Sequence, residues 1–399
     1  RWGCPRGLRS DPLNLTTFIR AEESDPEAPH TFARSPGFPG SFFVARDAPN
    51  ETRRRKELGE MSIRVGLFAG LLAIAGLAMA ACGGDEKKTL TVITHDSFAL
   101  NEELIREFEA EHDVTVKLLA KGDAGAMTTS LVLTKDRPEG DVVFGVDNTF
   151  LSRALDAGVF EQYEPPLLKG VPAEIRGEGG GFVTPIDYGF VNFNYDIAEL
   201  KERGLEPPRT LEDLAEARYR GLTVVENPAS SSPGLAFLVA TVAYFGESRY
   251  LEWWRSMREN GLVVVDGWET AYYTNFSLNG GEQPIVLSYA TSPAFEQLFA
   301  DPPRDDAPTA NILPAKGVFR QIEYAGVIKG TMQRELAREF IDFLLSVPVQ
   351  EDIPAQMAVY PVNPEARVPE AFSRFSEVKV AVAEVGAGAD GRLRRGSVA

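Results

Sequence analysis

Three short polar segments each follow a stretch rich in β-branched and apolar residues. They are 95–98 (HDSF), 122–123 (GD) and 147–148 (DN). A carboxylate in such a segment can accept charge-assisted hydrogen bonds from the amino groups of a ligand. Asp at such a position also commonly caps the helix that follows. The sequence therefore offers Asp96 and Asp147 as ligand carboxylates or helix caps, with Ser97 and Asn148 beside them.

Two aromatic residues stand where a strand gives way to a polar turn. Trp268 follows 263–265 (VVV), and Tyr289 follows 285–288 (IVLS) and precedes a segment with free hydroxyls that includes Ser292. Aromatic faces attract flat cations with about 0.5–2 kcal/mol per ring. We expect Trp268 and Tyr289 to line a site for such a cation, the alternative for Trp268 being a place in the core.

The composition limits the classes of function. The 399 residues carry 41 Lys and Arg against 58 Asp and Glu, a net charge of −17, which disfavours nucleic acid and favours a cationic small molecule. Two Cys and three His are too few for a Cys-type zinc site or a disulfide framework, so we expect no metal and no cofactor. No GxSxG elbow or GxxxxGKS loop is present, and we expect no enzyme activity.

Alternating strands and helices must position these residues. The pattern predicts strands over 89–94, 114–119 and 141–146 and helices over 101–111, 122–133 and 149–157. A second series has strands over 223–226, 263–265 and 285–288 and a helix over 233–244, with Ser232 as its N-cap, and the chain resumes with a strand over 324–328 and a helix over 334–345. Such alternation indicates mainly parallel, doubly wound sheets, which bind ligands at the carboxyl ends of their strands.

These series predict two lobes joined by continuous strands. Lobe 1 comprises 89–192 plus 319–399, and lobe 2 comprises 193–318. Asp187 and Tyr188 fall where the chain crosses between the lobes, so they line the cleft or brace the hinge.

The first eighty residues have the pattern of processing signals. Residues 61–82 (MSIRVGLFAGLLAIAGLAMAAC) combine a start-like Met, an early Arg and an apolar run too short for a membrane span, which is typical of a signal peptide. Its end is similar to a lipoprotein cleavage box in which Cys82 becomes lipidated. Residues 83–88 then form a tether, and we interpret 1–60, which lack sustained periodicity, as an upstream extension that is not translated. These features predict an exported, membrane-anchored lipoprotein.

Several segments, in order, resemble one family. They are THDSF (94–98), DVVFGVDN (141–148), TPIDYGFVNFNYD (184–196), ENPASSSPGLAF (226–237), DGWETAYY (266–273), VLSYATSPAFE (286–296) and VYPVNPEA (359–366). Together they look like the thiamine-binding proteins of bacterial ABC importers. The resemblance implies a type II periplasmic-binding-protein fold, thiamine or its phosphates in a cleft between the lobes, delivery to an ABC permease, and a monomer. Ferric-ion, polyamine and phosphonate binders of the same fold are the alternatives.

The resemblance also assigns residues to the site. It implies that Trp268 stacks on the ligand and that Ser231 faces its hydroxyethyl or phosphate end. It places Phe295 where the family usually has Tyr, and Ala358 where the family usually has Trp. The second change leaves a more open pocket, is compensated by another ring such as Phe98 or Tyr360, or marks a different ligand.

The pair Tyr272-Tyr273 resembles the paired tyrosines of ferric-ion binders. The same pair also suits a helix with one ring turned inward and one outward. The first interpretation predicts a phenolate site for iron, and the second a structural segment.

Overall fold

In a computed structural model, the structure describes residues 87–176, 179–385 and 393–395. The predicted signal peptide, the lipidation of Cys82, the upstream extension and most of the tether lie outside the described residues. None of the helices in the described ranges is long and apolar enough to cross a membrane.

Strands and helices alternate through most of the described chain. In chain order, the strands are β1 (Lys88–Thr94), β2 (Val114–Ala120), β3 (Val142–Asp147), β4 (Thr184–Asp196), β5 (Thr223–Glu226), β6 (Val263–Val265), β7 (Ile285–Tyr289), β8 (Thr309–Ile312), β9 (Val318–Val327), β10 (Tyr360–Pro361), β11 (Val382–Val385) and β12 (Leu393–Arg395). The α-helices are α1 (Glu102–His112), α2 (Ala124–Leu133), α3 (Leu151–Ala157), α4 (Ala173–Arg176), α5 (Ile197–Glu202), α6 (Leu211–Leu214), α7 (Ser232–Phe245), α8 (Tyr250–Glu259), α9 (Ser292–Leu298), α10 (Arg334–Leu344), α11 (Val347–Met357) and α12 (Glu370–Phe375).

One sheet runs through both lobes, in the order β2-β1-β3-β9-β4-β7-β5-β6. Lobe 1 contains the parallel strands β1, β2 and β3, and lobe 2 contains the parallel strands β5, β6 and β7. Each parallel pair is linked through helices, as a doubly wound arrangement requires. The predicted fold class, two doubly wound lobes joined by hinge strands, is confirmed.

The hinge is formed by β4 and β9, which pair antiparallel and share partners in both lobes. Residues 184–191 of β4 pair with β9, whereas 191–195 pair with β7 and 193–196 pair with β8. On its other side β9 pairs with β3. A single strand therefore leaves one lobe and enters the other without a linker.

Each lobe has its own hydrophobic core. The larger core packs Phe144 of β3 and Phe340 of α10 among the aliphatic residues of lobe 1. The other packs Phe193 of β4, Phe237 of α7 and Trp253 of α8, with ring centroids 4.8 and 5.7 Å from Phe237. Because each lobe buries its own core, the lobes can move as separate bodies about the hinge.

Two predicted boundaries were wrong. Helix α7 begins at Ser232, so its N-cap is Ser231, whose backbone is still extended. The hinge strand β9 begins at Val318, six residues before the predicted start at Tyr324. Arg320 and Gln321 interrupt the apolar pattern of this part of the strand, so hydrophobic periodicity did not reveal it.

Candidate ligand-binding site

A cavity of about 290 Å³ lies between the lobes, where the carboxyl ends of their parallel strands meet. Ligand pockets have volumes on the order of 300–1,000 Å³. The cavity is lined by His95, Asp96, Ser97, Gly122, Asp123, Ala126, Ser230, Ser232, Pro233, Asp266, Gly267, Trp268, Glu269, Thr270, Tyr289, Glu323, Met357 and Val359.

Two loops of lobe 1 form one wall and are tied to each other. The backbone N–H of Asp96 donates to the carbonyl of Gly122 (3.2 Å), and the N–H of Gly122 donates to Oδ1 of Asp96 (3.0 Å). These bonds hold the Asp96 carboxylate at the cavity edge. The loops follow β1 and β2, which are adjacent in the sheet.

His95 connects this wall to the hinge. Its Nδ1 accepts the N–H of Ser97 (3.2 Å), and its Nε2 lies 3.3 Å from Oε1 of Glu323 on β9. Burial lowers the pKa of His95, but the carboxylates of Glu323 and Asp123 outweigh that effect and hold it above its ordinary value. The ring lies against Gly145, which has φ +98° and where a Cβ would come within 2.2 Å of His95 Cδ2, so only glycine fits there.

Three carboxyl groups form a row across the hinge strands. In the strand register Asp147 of β3 lies beside Glu323 of β9, which lies beside Asp187 of β4. Burial, opposed by hydrogen bonds from Thr149 and Phe150, raises the pKa of Asp147 to about 7. Burial and then the charge of Glu323 raise the pKa of Asp187 well above its usual range. Of the three, Glu323 alone lines the cavity, and Asp187 is buried in the hinge.

Lobe 2 supplies the Trp and Tyr rings of the cavity. Trp268 is stacked on Tyr272 (centroids 4.9 Å apart, planes at 21°), and its Nε1 donates to Oγ of Ser288 (2.8 Å). Tyr289 lies 6.3 Å from Trp268, and its hydroxyl is 3.0 Å from Nε2 of Gln321. The indole is therefore fixed on one face and at its nitrogen before any ligand arrives.

Of the residues predicted to bind ligand, the structure brings four to the cavity: Asp96, Ser97, Trp268 and Tyr289. Six others lie outside its lining: Asp147, Asn148, Ser231, Ser292, Phe295 and Tyr360.

Five of the six residues contact other parts of the fold through a hydrogen bond or an aromatic ring. Asp147 Oδ1 accepts the N–H groups of Thr149 and Phe150 (2.5 and 3.2 Å) in the turn before α3, whose N-cap is Phe150. Asn148 bonds the main chain of β9, donating to the carbonyl of Arg320 (3.0 Å) and accepting from Ile322 N–H (3.1 Å).

Ser292 Oγ lies 3.0 Å from Ser288 Oγ, and Phe295 packs on Phe299 with centroids 4.7 Å apart. Ser231 is fully buried, and its hydroxyl has no hydrogen-bond partner among the described residues.

Tyr360 lies in the hinge region and faces away from the cavity lining. Its ring is stacked on Tyr188 (centroids 5.3 Å apart), and its hydroxyl donates to the carbonyl of Ser376 (3.2 Å). Phe98 packs against Phe144 at 4.6 Å and is not a lining residue either. Neither ring is therefore part of the cavity lining.

The wall around Ala358 is aliphatic. Ala358 is buried with a left-handed backbone (φ 58°), and its carbonyl accepts a hydrogen bond from Thr291 Oγ1. Its neighbours Met357 and Val359 line the cavity. This side of the pocket is closed by a thioether and a branched aliphatic chain.

Sequence reasoning missed several lining residues, above all Glu323 and Asp123. Glu323 lies on a hinge strand far along the chain from the loops that it faces, and no local motif marks it. Asp123 was visible in the polar segment 122–123 but was not named among the candidate ligand residues. It does cap α2, yet its carboxylate also accepts the backbone N–H of Trp268 (3.1 Å).

The cavity has a strongly negative lining. Five of the lining residues described are Asp or Glu, and none is Lys or Arg. Burial and then the carboxylate of Asp96 raise the pKa of Glu269, as expected for acids of like charge sharing a site. Such a lining favours a cation over an anion.

The pair Tyr272-Tyr273 lies in a π-helical segment, Thr270–Asn275. Tyr272 is buried and donates its hydroxyl to the carboxylate of Glu296, whereas Tyr273 is 44% exposed. The predicted arrangement with one ring inward and one outward is confirmed.

Comparison with known proteins agrees with this geometry. Residues 139–378 match the family model described as bacterial extracellular solute-binding protein. The thiamine-binding periplasmic protein of Escherichia coli K12 is 31% identical over 73% of this chain and 86% of its own length. A solved periplasmic thiamin binding protein, also 31% identical, superposes with a TM-score of 0.62 over 74% of this chain and 89% of that one. The iron-bound HitA of Pseudomonas aeruginosa shares the fold at 20% identity, with a TM-score of 0.59 over 73% and 93% of the two chains.

Proposed function

Since the chain belongs to the bacterial extracellular solute-binding proteins, we propose that it binds thiamine or a thiamine phosphate between its lobes and delivers it to an ABC permease. One observation carries this proposal: a single cavity brings Trp268 and Tyr289 together with five carboxylates. The relatives that bear the name of thiamine-binding protein support the choice of ligand.

Thiamine has a flat aminopyrimidine and a flat, cationic thiazolium. An aromatic face attracts such a cation, and the attraction grows when the site excludes water. A carboxylate accepts hydrogen bonds from the aminopyrimidine, and Asp96 lies at the cavity edge in position to do so. The rings and carboxylates of the cavity thus match the two chemical properties of the ligand, its flat rings and its positive charge.

The hydroxyethyl arm is proposed to point toward the start of α7. Ser232 lines the cavity there, and its hydroxyl has no hydrogen-bond partner among the described residues. The first N–H groups of a helix and nearby hydroxyls bind oxygen atoms of alcohols or phosphates. Ser231 precedes Ser232 and is proposed to shape this end of the site.

Binding is proposed to close the lobes about β4 and β9, with the division into lobes at 192 and 319. The hinge pairings described above support this boundary, since β4 exchanges β9 for β7 at Val191 and Asn192. A ligand that contacts both walls binds the closed form better than the open one, and this difference in affinity drives closure. The protein is proposed to act as a monomer, held at the membrane through a lipid on Cys82, as a binding protein without catalytic activity.

Calorimetric titration tests the proposal. The purified protein is titrated with thiamine, its monophosphate and pyrophosphate, and the hydroxymethylpyrimidine fragment. We expect thiamine to bind with a dissociation constant below about 1 µM, a binding free energy beyond about −8 kcal/mol. Absence of binding of all four compounds, by protein with a cooperative unfolding transition, would contradict the proposal. Ferric citrate in the same assay tests the alternative suggested by the iron-binding neighbour.

A further inference from the structure

Beside the cavity, the two lobes are joined by four hydrogen bonds that converge on the start of α2. Oδ1 of Asp123 accepts the N–H of Ser232 (3.3 Å), and Oδ2 accepts the N–H of Trp268 (3.1 Å). In return, the N–H groups of Gly125 and Ala126 donate to the carbonyl of Ser230 (2.9 and 3.2 Å). Lobe 1 therefore accepts hydrogen bonds from backbone N–H groups at the start of α7 and in the Trp268 turn, and lobe 2 accepts hydrogen bonds from N–H groups at the start of α2.

The two segments of lobe 2 in this contact are themselves linked. Ser230 Oγ donates to the carbonyl of Asp266 (2.6 Å), which joins the loop before α7 to the turn that carries Trp268. Gly267 allows the close approach, because a Cβ at this position would lie 3.2 Å from Oδ2 of Asp123. The contact thus fixes the turn and the loop as one unit against α2.

Asp123 has two separable roles in this arrangement. Its Oδ1 also accepts the N–H of Ala124 (2.6 Å), which caps its own helix and needs no second lobe. Its bonds to Ser232 and Trp268 exist only while the lobes are together. One of these bonds holds the main chain of Trp268 and so adds a contact from lobe 1 to the lobe 2 contacts of the indole with Tyr272 and Ser288.

We propose that Asp123 is a positioning residue that locks the closed lobes together and, by holding the backbone N–H of Trp268, sets the indole against the ligand. This inference rests on the proposed function for the identity of the ligand. It adds that a carboxylate of the opposite lobe holds the main chain of the turn that carries the aromatic wall.

A graded series of variants separates positioning from helix capping. Asp123→Ser keeps a good N-cap for α2, but its hydroxyl is too short to reach both Ser232 and Trp268. Asp123→Asn also caps the helix and keeps one acceptor oxygen, while its NH₂ group faces a donor. We expect thiamine affinity to fall about 10- to 100-fold in Asp123→Ser and by an intermediate factor in Asp123→Asn, with faster dissociation, since bonds to a charged acceptor are lost.

Asp196→Ser is the matched control. Asp196 caps α5 through the N–H of Glu199 (3.1 Å) and accepts Ser277 Oγ (2.7 Å), and all of these contacts lie within lobe 2. Its substitution should leave thiamine affinity unchanged. Equal affinities in wild type and both Asp123 variants would overturn the inference while leaving the proposed function intact.

A second measurement does not depend on the ligand. The two hydrogen bonds that Asp123 accepts from lobe 2 join protein groups alone and bias the equilibrium between open and closed lobes toward the closed form, so small-angle X-ray scattering in plain buffer should give a larger radius of gyration for Asp123→Ser than for wild type. If wild type fails to bind thiamine, the proposed function fails, and scattering alone decides the inference. Identical radii of gyration for wild type and Asp123→Ser would then overturn the inference about Asp123.

Discussion

The two walls of the cleft differ in what they offer a ligand. The wall from lobe 1 presents His95, Asp96 and Asp123 on loops that follow β1 and β2, and neither Trp nor Tyr is among its described lining residues. The wall from lobe 2 presents Trp268 and Tyr289 and the start of α7. Each wall carries two carboxylates and Glu323 of the hinge adds a fifth, but both large rings lie on the lobe 2 wall.

This difference explains why a two-lobed fold suits a flat cation. The lobe 2 wall provides both rings and two carboxylates, Asp266 and Glu269, and the other three carboxylates lie on lobe 1 and the hinge. A ligand that uses both rings and all five carboxylates must contact both walls, which requires closure. Closure and binding are linked because the two complementary surfaces belong to different lobes.

The largest effect is expected on the pH dependence of stability. It concerns Asp147, an acid of lobe 1 that is buried in the fold and does not line the cavity. The pKa of Asp147 is raised to about 7 by burial, above the unfolded value of about 3.9. Between these pH values the native state binds more protons, so the free energy of unfolding falls as pH rises. The loss from this group approaches about 4 kcal/mol above pH 7.

Asp147→Asn removes that titration and keeps an acceptor for the N–H groups of Thr149 and Phe150. We expect urea denaturation between pH 4.5 and 8 to show a flatter pH dependence for the variant than for wild type. The thiamine dissociation constant should stay within about twofold, because Asp147 lies outside the cavity lining. The same pH dependence of stability in both proteins, or a large loss of thiamine affinity in the variant, would contradict the distinction between acids buried in the fold and acids that line the cavity.

The next effect concerns the aromatic wall. Trp268→Ala removes a ring from the cavity, and we expect binding to weaken by roughly 1–3 kcal/mol, about 5- to 150-fold. Trp268→Phe keeps a smaller ring, so its affinity for thiamine should lie between those of wild type and Trp268→Ala. Phe299→Ala removes a half-exposed ring outside the cavity and serves as the control. An unchanged dissociation constant in Trp268→Ala would remove this residue from the site.

The smallest effect is expected for a single charge at the base of the cleft. Glu323→Gln keeps the shape of the side chain and removes its charge, so a cationic ligand should bind on the order of 1 kcal/mol more weakly, about fivefold. Glu139→Gln is the control, since Glu139 is an acid of lobe 1 paired with Lys121 at 2.8 Å and lies outside the cavity lining. Tighter binding by Glu323→Gln would show that this carboxylate opposes the ligand.

The sequence predicted the architecture better than the site because periodicity is local and a cleft is not. Strands such as β5 and β6 were predicted residue for residue, since runs of β-branched residues between turns are unambiguous. The hinge strand β9 was predicted only in its second half, because Arg320 and Gln321 interrupt the apolar pattern.

For the site, sequence reasoning identified residues that follow a strand when they stand in a polar turn and carry a carboxylate or a large aromatic ring. Asp96 and Trp268 are such cases, and both line the cavity. Asp147 has the same local pattern as Asp96, yet its strand lies deeper in the sheet, where Asn148 ties the loop to β9. Glu323 shows the opposite case, because a residue in mid-strand reaches the cavity only through the crossing of the hinge strands.

A crystal structure of the protein with thiamine would show which residues of the two lobes contact the ligand. We predict that the ligand lies between the loops 95–97 and 122–123 of lobe 1 and the turn 266–270 of lobe 2, with a ring against Trp268 and its positive charge facing the carboxylates. Asp123 should accept the N–H of Trp268 in that complex. Thiamine bound outside this cavity, or bound to one lobe while the other stays apart, would contradict the account.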